Sequence, residues 1–167
     1  MSKRIIFFDT DQTLWESEGQ DYISRVNSNI VRIDSNTIQR EKDQKLFKLK
    51  NGVREAFKYL NKHKKNIVIG VISDNRPEPV ILALKFFGLW SYISKQAVLI
   101  KLWNGYCPKT EMVEEVLRKN SQFKRYNPQD IFLIDDKDYT RDLKDLGMNF
   151  IRVNLDTNLL NLVKTFI

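Results

Sequence analysis

Along this chain of 167 residues, short apolar runs alternate with longer segments whose apolar residues recur at helical spacing. Strands covered on both faces of a parallel sheet are apolar at successive positions, and several short runs have that character. These predicted strands are Arg4–Phe8, Asn66–Ile72, Gln96–Leu102, Ile131–Ile134 and Asn149–Val153.

Helical patterns lie between these runs, at residues 52–65, 77–90, 108–120, 138–147 and 156–167. Pro77 and Pro108 stand where helices begin, and Gly88 stands where one ends. Strands that alternate with helices in this way predict an α/β fold with a doubly wound, mostly parallel sheet.

The pattern changes between Glu16 and Lys50, where polar and apolar residues alternate around the turn-like segments "NSN" and "DSN". This alternation predicts one or two β-hairpins inserted after the first strand. The insertion is too short for an independent domain. We therefore expect a single domain over residues 1–167 with a small flap at residues 16–50.

The composition restricts the chemistry, because the chain has one cysteine, Cys107, and one histidine, His63. One cysteine cannot form an internal disulfide, and this pair cannot build a zinc site. A Ser-His-Asp triad would need His63, which lies in the charged segment "NKHKKN" typical of a solvated helix end. Carboxylates, hydroxyls and lysines must therefore carry any catalysis.

Charge and hydropathy restrict the possible partners and the location of the protein less strongly. The net charge of +7 permits anionic partners, but the lysines are dispersed and no stripe of basic and stacking aromatic residues predicts nucleic-acid binding. The longest apolar stretch, "IVIGVI", is too short to span a bilayer, and the basic N-terminus lacks a signal-peptide core. We expect a soluble, cytoplasmic protein.

Polar side chains gather where the predicted strands end, which is where open α/β sheets bind ligands. Acids placed so close together repel one another and need a cation, and an all-oxygen ligand set favours Mg²⁺, which commonly bridges to phosphate. A carboxylate beside such a metal can attack phosphorus as a nucleophile. The residues concerned are Asp9, Asp11, Ser73, Asp74, Asn75, Lys109, Asp135 and Asp136.

These residues carry a resemblance to a known superfamily. "FFDTDQT" resembles the DxDxT motif of the haloacid dehalogenase superfamily, and "VIGVISDN", Lys109 and "FLIDD" are similar to its second, third and fourth motifs, in the same order. Within the superfamily, "DTDQTLW", "ISDN", "FFGLW", "YCPKTEMVEEVL" and "IFLIDDKD" resemble the magnesium-dependent phosphatases, which have no large cap domain. The resemblance implies a Rossmann-like fold and an Mg²⁺-dependent phosphatase.

The resemblance also implies roles for the first motif. Asp9 would be the nucleophile that forms an aspartyl-phosphate, and it would bind Mg²⁺. Asp11 would act as general acid and then as general base, with its backbone carbonyl on the metal. Because residues two apart on an extended chain face the same way, both carboxylates would point at one phosphate and Thr10 would face away.

The other motifs complete the implied site. Ser73 would hydrogen-bond the phosphate, and Lys109 would neutralise it. Asp136 would be the main metal ligand of the fourth motif and Asp135 a partner of Lys109, although either carboxylate could take the direct contact.

Four residues are candidates for the substrate side of the site: Asp74, Asn75, Arg76 and Trp15. Arg76 would meet a substrate anion or be an exposed residue at a helix start, and Trp15 would line the mouth or be a core aromatic under the flap. Gln12 departs from the resemblance, since small residues are frequent at its position.

Alternative functions fit less well. In a receiver-type signalling domain the acid pair comes first and the lysine last, whereas here the DxD leads and "DD" follows the lysine. A phosphotransferase of the same superfamily usually carries a larger cap, and a nucleic-acid 3′-end phosphatase lacks support from a basic aromatic stripe. The expected substrate is a small phosphomonoester or a phosphorylated protein side chain, with phosphotyrosine-like and amine-linked sugar phosphates both left open.

Overall fold

A computed structural model describes residues 3–102 and 109–167 of the chain. Within these residues the strands are β1 (Arg4–Phe8), β2 (Trp15–Ser17), β3 (Ile30–Arg32), β4 (Thr37–Arg40), β5 (Lys45–Leu49), β6 (Ile67–Ser73), β7 (Val98–Ile100), β8 (Ile131–Asp135) and β9 (Asn149–Arg152). The helices are α1 (Val53–Lys62), α2 (Pro77–Phe86), α3 (Lys109–Lys119), α4 (Thr140–Asp145) and α5 (Leu159–Lys164). Short 3₁₀ turns occupy Trp90–Tyr92, Lys95–Ala97, Ser121–Phe123 and Pro128–Asp130.

The central sheet has the order β7-β6-β1-β8-β9, and each adjacent pair of its strands is parallel. The chain builds outward from β1 on one side through β6 and β7, then returns to β8 and β9 on the other. Between β1 and β8 the direction of winding reverses, which opens a crevice at the carboxyl ends of these strands. The predicted α/β, doubly wound, mostly parallel fold is confirmed.

Successive side chains of β1 point to opposite faces of the sheet and so belong to two separate hydrophobic clusters. Ile6 and Phe8 belong to the cluster packed against α1, α2 and α5, while Ile5 and Phe7 belong to the cluster packed against α3 and α4. All four side chains are fully buried. Helices on both faces explain why this strand is apolar at each position from Ile5 to Phe8.

The third predicted strand differs most from the structure. The sequence favoured Gln96–Leu102, but the strand covers Val98–Ile100, because Lys95–Ala97 form a 3₁₀ turn before it. Pro108, the expected start of the next helix, and Cys107 lie outside the described residues. No helix in the described ranges is both long enough and apolar enough to cross a membrane.

The inserted segment forms a small antiparallel sheet with the order β2-β5-β4-β3. Two hairpins, β3–β4 and β4–β5, make most of it, and β2 pairs with β5 at the edge. Ile38 and Phe47 are fully buried in the same cluster as Phe8 of the central sheet. The small sheet is therefore anchored by an apolar face that it shares with the main core.

Candidate active site

The crevice between β1 and β8 brings carboxylates from two strand ends together. The amide of Asp9 donates to the carbonyl of Ile134 at 2.9 Å, which extends the pairing of the two strands by one residue. Asp135 ends β8, and Asp136 follows it. One carboxylate oxygen from each of Asp9, Asp135 and Asp136 lies within 4.8 Å of the others.

Lys109, the first residue of α3, places its ammonium group between the carboxylates of Asp9 and Asp135. Its buried Nζ donates to the Asp9 carboxylate and, at 3.1 Å, to the carbonyl of Ile72, and it lies 3.5 Å from Oδ2 of Asp135. Burial opposes its charge, but the Asp9 and Asp135 carboxylates outweigh burial and raise the pKa of Lys109. The ammonium group is therefore charged at neutral pH and is placed to neutralise an anion in the crevice.

The acidic cluster fits a hard divalent cation. Burial and the nearby Asp9 charge raise the pKa values of Asp135 and Asp136, so the cluster is strained when all its carboxylates are ionised. Oδ2 of Asp135 is buried and lacks a hydrogen-bond partner among the described residues, since its ion pair with Lys109 is too long for a hydrogen bond. An all-oxygen donor set that includes a buried oxygen without a hydrogen bond suits Mg²⁺.

Asp11 has a different environment. Its buried carboxyl accepts hydrogen bonds at Oδ1 from the indole Nε1 of Trp15 (2.7 Å) and the amide of Ile23 (3.1 Å), and at Oδ2 from Nδ2 of Asn75 (2.6 Å). Burial, followed by the charge of Asp9, raises the pKa of Asp11 to about 7. A carboxyl with such a pKa holds a proton near neutrality, which suits a group that must first donate and then accept one.

Ser73 and Thr10 lie behind the carboxylates. Their hydroxyls are 2.6 Å apart, and Nδ2 of Asn75 donates to Oγ of Ser73 at 3.0 Å. The Thr10 side chain thus reaches the neighbouring strand β6. The chain turns after Asp9, with the amides of Thr13 and Leu14 donating to the Thr10 carbonyl at 3.2 and 2.8 Å.

The structure buries two of the residues that the sequence proposed as substrate contacts. Trp15 is fully buried, and its ring centroid lies 5.7 Å from that of Phe87, so the indole supports Asp11 from below rather than lining the mouth. Ser73 has no exposed surface either, and its hydroxyl is engaged by Thr10 and Asn75. In this arrangement Ser73 contacts Thr10 and Asn75, and its hydrogen bond to a phosphate stays a prediction.

A cavity of about 590 Å³ lies above these groups. Asp9, Asp11, Lys109 and Asp136 line it together with Asn75. The other lining residues form a rim with three cations, one acid and three uncharged side chains, and they are Arg25, Arg76, Lys137, Asp74, Tyr22, Ser24 and Leu102. The cavity thus brings together the first, second, third and fourth motif residues except Ser73 and Asp135.

Arg76 and the inserted segment meet at this rim. The guanidinium of Arg76 donates to Oδ1 of Asn27 at 2.7 Å and to the carbonyl of Ser24 at 3.2 Å. Oγ of Ser24 donates to Oδ1 of Asn75. Sequence reasoning missed Ser24 and the Ile23 amide, because nothing in the polar alternation of the insertion indicates which of its residues reach β1 and β6.

The backbone conformation at Gln12 explains why small residues are favoured at this position of the motif. Its φ of 61° lies in the left-handed region, where glycine is favoured and side chains are strained. The Gln12 carbonyl accepts a 2.9 Å hydrogen bond from Nζ of Lys50, which also donates to the Asn154 carbonyl at 2.6 Å. This lysine bridge holds the turn after Asp11 despite the strain.

Comparisons with known proteins give a family match and similar folds. The family model of haloacid dehalogenase-like hydrolases matches residues 4–153. A comparison with curated proteins gives no match.

Three solved structures have a similar fold, and in each the similarity covers nearly the whole length of both chains. A predicted phosphoglycolate phosphatase from Haemophilus somnus is similar with a TM-score of 0.65 at 12% identity, over 100% of this chain and 99% of that chain. The haloacid dehalogenase domain of the effector Lem4 from Legionella pneumophila has a TM-score of 0.62 at 18% identity, over 100% and 94%. A phospho-aspartyl intermediate analogue of phosphoserine phosphatase has a TM-score of 0.52 at 14% identity, over 100% of both chains.

Proposed function

The chain belongs to the haloacid dehalogenase-like hydrolases, and on that basis we propose that it is an Mg²⁺-dependent phosphomonoesterase that works through an aspartyl-phosphate on Asp9. One observation carries the proposal. The carboxylate of Asp9 lines the cavity, is paired with the charged Lys109 and lies beside the buried carboxyl of Asp11, whose pKa is raised to about 7. Nucleophile, positive charge and proton donor thus line one cavity.

In the first step, a carboxylate oxygen of Asp9 attacks phosphorus while the bond from phosphorus to the leaving oxygen breaks. Asp11 gives its proton to that oxygen, which leaves as an alcohol or phenol. Lys109 balances negative charge at the phosphoryl group throughout, since its buried ammonium already lies against Asp9.

In the second step, water attacks the aspartyl-phosphate, and the ionised Asp11 takes the proton from that water. The bond between phosphorus and the Asp9 oxygen breaks, so that inorganic phosphate leaves and both carboxyl groups return to their starting states. Ser73 and Thr10 keep Asn75, and through it Asp11, in place.

Asp9, Asp135 and Asp136 would hold Mg²⁺, and the resemblance adds the backbone carbonyl of Asp11. When bound, the metal supplies positive charge that offsets the clustered carboxylates and the phosphate. Asp136 is the better candidate for a direct ligand, because it lines the cavity, whereas Asp135 is fully buried against Lys109.

Removing divalent metal should stop hydrolysis. With Mg²⁺ the protein should hydrolyse 4-nitrophenyl phosphate, and EDTA should abolish this activity. Mg²⁺ should also raise the melting temperature, because a ligand that binds only the folded state stabilises it. Asp136→Asn should weaken that shift while the exposed control Asp145→Asn keeps it; turnover that survives EDTA would contradict the metal assignment.

The rim of the cavity favours an aryl leaving group among the substrates left open by the sequence. Tyr22 is 44% exposed, and Nζ of Lys137 lies 5.5 Å from the centroid of its ring. An aromatic leaving group can stack on such a ring, whereas a sugar gains less from it. We therefore place phosphotyrosine-like esters ahead of sugar phosphates and 3′-phosphorylated nucleic acid.

A substrate panel tests this order. We expect kcat/KM to be higher for phosphotyrosine than for hexose phosphates or a 3′-phosphorylated oligonucleotide. Tyr22→Ala should raise KM for the aryl ester and leave the sugar phosphates nearly unchanged, while Leu46→Ala, an exposed residue elsewhere on the small sheet, should alter neither. An equal effect of Tyr22→Ala on all substrates would show that the ring does not meet the leaving group.

A further inference from the structure

The small sheet contains a buried guanidinium that the proposed mechanism does not use. Arg40 ends β4 and is only 1% exposed. The guanidinium pairs with the carboxylates of Asp21 and Asp43, and its Nε donates to Oδ1 of Asp43 at 2.9 Å. Its central carbon, Cζ, lies 5.4 Å from the ring centroid of Phe47. A buried arginine without such partners would be strongly destabilising, so the arrangement is specific.

Arg40 fixes a particular piece of backbone, residues 21–24, which we call the acid strap. Nη1 of Arg40 donates to the carbonyl of Tyr22 at 2.5 Å, and Nη2 pairs with the Asp21 carboxylate. The amide of Tyr22 donates back to Oδ1 of Asp21 at 2.9 Å. Two successive residues of the strap are therefore tied to one rigid side chain.

The rest of the strap meets the proposed proton donor. The amide of Ile23 donates to Oδ1 of Asp11 at 3.1 Å. Oγ of Ser24 donates to Asn75, whose amide group donates to Oδ2 of Asp11. Both carboxyl oxygens of Asp11 are thus oriented by the strap, one directly and one through Asn75.

We propose that Arg40 is a positioning residue for catalysis, which holds the acid strap so that the carboxyl of Asp11 faces the leaving oxygen. This inference rests on the proposed function of Asp11. Arg40 lines no part of the cavity described above and contacts no reacting atom, so its whole effect passes through Asp21, Tyr22 and the strap backbone.

The chemistry of proton donation supplies a diagnostic. When the bond from phosphorus to the leaving oxygen breaks, an alkoxide or phenoxide of a weak acid needs the Asp11 proton, whereas 4-nitrophenoxide is stable without it. Misorienting Asp11 should therefore slow esters of weakly acidic alcohols and phenols more than 4-nitrophenyl phosphate. A variant that is merely destabilised lowers the fraction of folded enzyme and slows all esters by the same factor.

The experiment compares kcat/KM for phenyl phosphate and 4-nitrophenyl phosphate, since this parameter reports the step in which the leaving group departs. Arg40→Lys keeps the charge but loses the fork that ties Asp21 to the Tyr22 carbonyl. We expect phenyl phosphate to slow roughly ten-fold more than 4-nitrophenyl phosphate, because a small misplacement of a catalytic group has effects of this size. Asp21→Asn, which keeps the side-chain volume, should shift the ratio in the same direction and serves if Arg40→Lys does not fold.

Arg54 offers a matched control. Its guanidinium also ties the small sheet to the core, donating to the Ser35 carbonyl at 2.6 Å, Oδ1 of Asn36 at 2.8 Å and the Phe87 carbonyl at 3.3 Å. Those contacts are remote from the acid strap along the chain, so Arg54→Gln should lower stability and leave the ratio between the two esters unchanged.

The outcomes separate the inference from the proposed function. Folded Arg40→Lys or Asp21→Asn protein, verified by circular dichroism, that slows both esters equally would overturn the role of Arg40 while leaving the phosphatase proposal intact. Wild-type protein that hydrolyses neither ester would instead overturn the proposed function.

Discussion

Asp9→Asn should reduce phosphatase turnover to background. The substitution removes the carboxylate that attacks phosphorus, and an amide cannot form the aspartyl-phosphate. It also removes the main ion-pair partner of the buried Lys109, so folding must be measured by circular dichroism beside activity. Asp145→Asn, at the exposed end of α4, is the matched control and should retain wild-type turnover.

A stable mimic of the aspartyl-phosphate provides an independent test of Asp9 as the nucleophile. Beryllofluoride mimics a phosphoryl group on a carboxylate, and with Mg²⁺ it should be found on Asp9 of the wild-type protein in a crystal. The Asp9→Asn variant should not bind it. Beryllofluoride found on Asp11 or Asp136 would assign the nucleophile to that residue instead.

Asp11→Asn should lower kcat/KM for phenyl phosphate by about 10²–10⁴-fold, the usual contribution of general acid–base catalysis. The asparagine keeps the shape of the carboxyl group but has no proton of the required acidity. The loss should be smaller for 4-nitrophenyl phosphate, whose leaving group needs little protonation. A wild-type rate with both esters would show that Asp11 is not the proton donor.

The pH profile provides a further measurement on Asp11. Because burial and Asp9 raise its pKa to about 7, the carboxyl is protonated below that pH and ionised above it. The donor form is lost as the pH rises, so kcat/KM for phenyl phosphate should fall above about pH 7 in the wild type. The descending limb should vanish in Asp11→Asn.

The elements that form the crevice could be predicted from the sequence because their patterns are local. β1 spans the residues predicted for it, and β8 extends one residue beyond its predicted end. Strand order then places Asp9, Lys109 and Asp136 around one crevice by topology alone. Such an inference needs no knowledge of side-chain contacts.

Contacts that cross between segments could not be predicted in the same way. Trp15 follows the DxD motif as a mouth residue would, yet the turn at Thr10 directs its indole beneath Asp11. The partners of Arg40 lie in two separate stretches of the insertion, residues 21–22 and Asp43, and no periodicity indicates that they meet. The third strand was predicted too long at its start because Gln96 and Ala97 belong to the 3₁₀ turn Lys95–Ala97, which no local pattern indicated.

The apolar face that the small sheet shares with the main core has a consequence for how substrate enters. Swinging the sheet outward as a lid would expose Ile38 and Phe47, and each such side chain contributes about 1.5–3 kcal/mol by being buried. Opening is therefore rare and resembles partial unfolding, so substrate mostly meets the closed sheet. Substrate must bind to an entrance of fixed shape, so selection depends on fit and charge at a rigid rim rather than on closure over the bound ester.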